Sequence, residues 1–113
     1  MKRFVLLMLC SACLASCQTA GGSRSHKDLN DYPEGRAYTE CLRSRARAYA
    51  SQQGSPLELG IIISSSCSGE RRALLDAVDR DESPVYTRVL TREMERQSPA
   101  VAAEMVIAVR SGR

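Results

Sequence analysis

Beyond residue 30, apolar side chains recur three and four positions apart, with charged and polar residues filling the intervals. That spacing gathers them on one face of a 3.6-residue helix and predicts a small all-α domain of three or four helices. A first helix is expected over 33–53. Its mostly apolar face would carry Ala37, Tyr38, Cys41, Leu42, Arg45, Ala48 and Tyr49, with Gly54 in the left-handed position after its end. Asp31 and Glu34 have the spacing of a capping box at its start, and Glu40 is placed to pair with nearby arginines. A second helix, 56–80, opens on Ser55-Pro56-Leu57-Glu58, which sets Ser at the N-cap, Pro at the first helical position and Glu at the third. Its stripe is Leu59, Ile63, Cys67, Leu74 and Val78. Three isoleucines (61–63) followed by three serines (64–66) form its weakest stretch and the natural place for a break. Arg72, Asp76 and Arg80 are spaced to pair along it.

Ser83-Pro84 and Ser98-Pro99 repeat the same start signal. They predict a third helix over 84–97, with Tyr86, Leu90 and Met94 inward and Val85 and Val89 beside them. A fourth over 99–110 would turn Val101, Ala102, Met105, Val106 and Val109 inward. A single kinked helix over 84–110 is the alternative, because proline disfavours but does not forbid a helical residue before it. Residues 18–30 are polar, contain glycine and lack apolar periodicity, which is the pattern of a flexible tether. His26, the one histidine, falls there and is expected to carry no chemistry.

The chain begins differently. Lys2 and Arg3 precede an apolar stretch opening at Phe4 that is too short for the ~20 residues of a membrane span. A targeting segment is the better reading, so residues 1–16 are set aside from the fold. It ends in Leu14-Ala15-Ser16-Cys17, a leucine three positions before a cysteine with small residues between, and this resembles the lipobox of bacterial lipoproteins. The resemblance covers residues 1–17 alone. It implies cleavage before Cys17, a diacylglycerol on the Cys17 thiol and attachment to a lipid bilayer, which two or three acyl chains secure. It divides the chain into a leader (1–16), a lipidated cysteine with its linker (17–30) and a helical domain (31–113). Gln18 stands where an Asp would favour inner-membrane retention, so the resemblance implies the outer membrane, and its periplasmic face is the expected location. An ordinary secretory leader is the competing reading, but the Ala-x-Ala-like sites near Ala15 and Ala20 are poor.

Removing Lys2 and Arg3 leaves fourteen basic residues against thirteen acidic ones, so the excess positive charge belongs mainly to the leader. A near-neutral domain lacks the field on which nucleic-acid binders rely, and none is expected as partner. Without Trp, and with Phe4 in the leader, the core must be aliphatic. So small a domain benefits from a staple. Cys41 and Cys67 remain as a pair in an oxidising compartment, equidistant in sequence from Gly54 and so level in an antiparallel hairpin turning there. They are expected to form a disulfide that locks the first hairpin.

Arg88, Arg92 and Arg96 recur every four residues and make one candidate contact for an anion, with Glu93 and Glu95 flanking them. No catalytic motif, phosphate loop or clustered metal ligands are present, and the acidic run from Asp76 to Glu82 lacks the calcium-loop pattern. No enzyme activity, cofactor or metal is expected. The leading expectation is a non-enzymatic interaction or structural module of the cell envelope with an envelope protein as partner. The alternative is a binder of phosphate or lipid headgroups through the arginine stripe.

Overall fold

A computed structural model describes residues 25–113. The fold is all-α: a short 3-10 turn, Leu29–Asp31, precedes α1 (Pro33–Tyr49), α2 (Pro56–Ser66), α3 (Ser68–Asp81) and α4 (Pro84–Arg110). The leader, Cys17 and the first part of the expected tether lie outside the described residues. Among those residues, no helix is long and apolar enough to cross a membrane.

Two of the three serine–proline signals act as caps. Ser55 accepts from the Glu58 amide while Glu58 reaches back to the Ser55 amide at 2.8 Å, which is the complete capping box. The Ser55 donors hold the Glu58 carboxyl below the usual carboxylate range. Ser83 accepts from the Tyr86 amide and starts α4. The Asp31 box does not form: Tyr32 stands at the N-cap of α1 without a side-chain cap, and Asp28 instead caps the 3-10 turn.

Ser98-Pro99 is different. α4 runs through it as one helix, so the expected third and fourth helices are continuous. Ser98 is buried, donates to the Met94 carbonyl one turn back, and lies 2.6 Å from the Tyr38 hydroxyl of α1. A serine hydroxyl has one proton, so Tyr38 is the donor to Ser98. Pro99 has no amide to bond the Glu95 carbonyl, and Glu95 is exposed.

The expected 56–80 helix instead divides at Cys67, whose φ of −101° and ψ of 19° leave the helical region. Ser64 and Ser66 donate to the carbonyls of Ile61 and Ile63, competing with backbone amides over the last turn of α2. The division lets α2 lie mainly along α4 while α3 lies mainly along α1. All five expected stripe residues, Leu59, Ile63, Cys67, Leu74 and Val78, are buried. On α1 the buried face is narrower than expected: Tyr38, Leu42 and Ala46 are inside, whereas Ala37, Arg45 and Ala48 are exposed. Val101 is also exposed, and Ala103 is buried in its stead. Arg80 bridges to Glu34 of α1 at 3.9 Å rather than pairing with Asp76.

Two backbone contacts set the helix spacing. A Cβ on Gly60 would stand 2.2 Å from the Pro99 carbonyl oxygen and 3.1 Å from the Ala103 Cβ, so α2 and α4 cross with nothing between them. A Cβ on Gly35 would stand 1.8 Å from the Leu29 carbonyl oxygen, which seats the 3-10 turn on α1. The first helix ends at Tyr49 rather than at 53, with Ala50 as its C-cap, so Gly54, at φ +132°, does not cap it but stands just before the Ser55 N-cap of α2. Arg110 closes this end: its guanidinium donates to the carbonyls of Ala50, Gln52 and Gly54.

Gly60→Ala is therefore expected to destabilise the domain by about 1–3 kcal/mol through overpacking against backbone. Gly69→Ala, on α3 with nothing within 4 Å of the added methyl, is expected to raise stability by about 0.4–1 kcal/mol. Urea unfolding of both variants checks the contrast. The close α2–α4 crossing is wrong if Gly60→Ala unfolds like wild type.

Candidate functional site

Cys41 and Cys67 form a disulfide, with Cα atoms 5.9 Å apart. α1 presents Cys41 half-buried at mid-helix, and the α2–α3 junction presents Cys67 fully buried within the core. The sulfurs lie within 4.8 Å of a Glu70 carboxylate oxygen. Both are committed to the S–S bond, so neither is a thiolate donor for a metal or a nucleophile. The bridge is structural chemistry here.

The three arginines of the predicted stripe all lie exposed on α4 but do not act alike. Arg96 is taken by Glu93, with its Nε 3.2 Å from Oε2 and a second, shorter contact to Oε1. Bonds from Arg96 and Gln97 hold the Glu93 carboxyl below the usual range. Arg88 and Arg92 have no acidic partner among the described residues. The stripe is therefore two free cations and one neutralised pair.

Sequence reasoning missed a third cluster, where the chain enters the domain. Residues 26–30, expected within the tether, are docked: His26 and Lys27 lie at the corner between α3 and α4, and the 3-10 turn that follows lies on α1. The His26 ring stacks on Tyr86 with centroids 4.0 Å apart, and its Nδ1 lies 3.1 Å from Glu82 Oε2. Lys27 Nζ sits 4.1 Å above the Tyr32 ring and 3.9 Å from Asp81. Arg36 donates to the Asn30 carbonyl. Tyr32 is buried, and its hydroxyl has no hydrogen-bond partner among the described residues. Burial first, and then the neighbouring Asp81 and Glu82 carboxylates, raise its pKa and keep the phenol neutral. No periodic pattern marks this cluster, because aromatic and charged contacts with a nonhelical segment leave no helical spacing. The one available signal was the density of His, Lys and Asp before Leu29.

Two hollows complete the surface. One of about 400 Å³ between α3 and α4 is lined by charges of both signs, Arg71, Arg72, Asp76, Asp79 and Glu95 among them. The other, about 190 Å³, is mainly apolar and lies between α1 and α4 beside Leu42, Leu90, Met94 and Val101, with Tyr38, Ser98, Glu93 and Gln97 as its polar lining. Exposed apolar side chains gather elsewhere: Leu57, Ile61 and Ile62 on α2, Val101 and Ile107 toward the end of α4, and Val85 and Val89 at its start. No family model matches this chain, and neither a curated protein nor a solved structure is similar to it.

Replacing Cys41 and Cys67 together by Ala is expected to remove about 3 kcal/mol of stability, the usual effect of opening a loop of this length. Because Cys67 is fully buried, labelling must be done in denaturant: no thiol at either position should react until reductant is added. A reactive Cys41 in oxidised, denatured protein would sink the assignment.

Proposed function

We propose that this protein is a lipid-anchored, non-enzymatic interaction module of the bacterial cell envelope, held on the periplasmic face of the outer membrane through acylated Cys17. The observation that carries this reading is Leu14-Ala15-Ser16-Cys17 closing a basic and then apolar N-terminus. A disulfide between Cys41 and Cys67 suits the oxidising compartment such a leader serves. The domain offers surface more readily than it offers a reaction centre. Leu57 and Ile61, one turn apart on α2, stand about half exposed at 55% and 51%. Ile107 lies one turn beyond Ala103, which touches Gly60, so it comes level with Leu57 on the antiparallel partner. Single exposed apolar residues are ordinary, but a group spanning two packed helices suits a protein contact.

Metabolic labelling with a fatty-acid probe tests the anchor. Label is expected on the wild type and not on Cys17→Ser. Incorporation that ignores this substitution, or none in the wild type, contradicts the reading. Photo-crosslinkers at Leu57 and Ile61 in intact envelopes are expected to capture one envelope protein, and at Arg43 to capture none. Identical patterns at the two places would remove the α2 surface as its contact.

A further inference from the structure

We infer that the first half of α4 is a docking face for an anionic bilayer, aligned by the packed segment His26–Asp31. Val85, Arg88, Val89 and Arg92 follow the i, i+3, i+4, i+7 spacing and so share one side of the helix. The valines are 64% and 62% exposed, the highest values among the exposed large apolar residues. α2 lies against Pro99 and Ala103, further along the helix, and covers none of these four. Two exposed valines alternating with two free guanidinium groups match the boundary of a bilayer with anionic headgroups. The apolar groups enter the acyl boundary while the arginine forks hold phosphate oxygens. A soluble anion would need the arginines and leave the valines unexplained. A protein partner would find the larger apolar group on α2.

The position of the incoming chain supplies the second argument. The described chain begins at Ser25, and the next residue, His26, stacks on Tyr86, the neighbour of Val85 in sequence. Residues 17–24, fully extended, reach at most roughly 30 Å. An anchor at Cys17 therefore keeps this end of α4 near the membrane, and to that extent the inference rests on the lipid-anchor reading. The same segment lessens an electrostatic obstacle, since Lys27 pairs with Asp81. Asp81 and Glu82, just before α4, would repel an anionic surface, and they face Lys27 and His26 at 3.9 and 3.1 Å. Glu95, the remaining acid near the stripe, lines the α3–α4 hollow with Arg71 and Arg72.

The test uses residues 17–113 with Cys17→Ser, a chain that holds the whole buried core and the disulfide, so that the outcome does not depend on acylation. It is sedimented with vesicles of phosphatidylcholine alone, or of phosphatidylcholine mixed with phosphatidylglycerol, at physiological salt. Binding is expected only to the mixed vesicles. Arg88→Glu with Arg92→Glu should weaken it at least about tenfold, as the loss of two basic groups at a charged membrane requires. Val85→Ser with Val89→Ser should weaken it about threefold or more through lost apolar burial. The charge-matched control, Arg43→Glu with Arg47→Glu on α1, should change it less than about twofold, since its electrostatic effect is not local to the face. The exposed stripe positions leave the thermal midpoint unchanged, which separates lost docking from lost folding. Equal loss in the stripe and control variants, indifference to the valines, or no binding to the mixed vesicles overturns the inference. Fatty-acid labelling of full-length protein reports separately on Cys17.

Discussion

Cys67 is where three structural demands meet. It ends α2, begins α3 and is bridged to the middle of α1. An uninterrupted helix over 56–80 could lie along one neighbour only. The division at Cys67 gives α2 to α4 and α3 to α1, and the bridge holds the junction within the core. The core is mainly aliphatic, with Tyr32 and Tyr38 among it, and the bridge adds a covalent constraint to the packing that fixes this division of partners. The restriction a disulfide places on the unfolded chain stabilises whichever arrangement satisfies it.

Much of this was legible in the chain. Caps are local chemistry, and Ser55-Pro56-Leu57-Glu58 carries every group its box needs within four residues. The cysteine pair was legible because equal distance from Gly54 and placement on apolar stripes agree. Ser98-Pro99 left two readings of 84–110 open because a serine one residue before proline looks locally like a cap, and the single helix is the one that forms. What decides between them is Tyr38, 60 residues away, whose hydroxyl bonds to Ser98 only if α4 continues. The crossing at Gly60 had a faint signal in the small pair Ala102-Ala103, but small residues do not say which helices they bring together. Arg110 had none: its three carbonyl acceptors belong to a loop 56–60 residues earlier.

The entry corner was missed for another reason. Polar composition and lack of periodicity marked residues 18–30 as tether, and that rule describes helices and strands rather than segments docked by stacking and charge. His26 and Lys27 take the two acids that end α3 and set the chain beside the start of α4. The arginine stripe also changes under the structure. Arg96 belongs to Glu93, and the free pair Arg88 and Arg92 gains meaning from the exposed Val85 and Val89 that alternate with them. On this view, address and architecture serve one purpose. On the proposed reading, an anchor at Cys17 would bring the domain to a membrane, the docked segment would orient it, and α2 would stay turned to other contacts.

Intact-mass analysis of the mature protein, extracted in detergent from its own envelope without reductant, tests the central claim most directly. The expected species begins at Cys17, carries the mass of its acyl chains and is lighter by the two thiol hydrogens of a Cys41–Cys67 bridge. An unacylated chain beginning at another residue, or one carrying free thiols at Cys41 and Cys67, would contradict it.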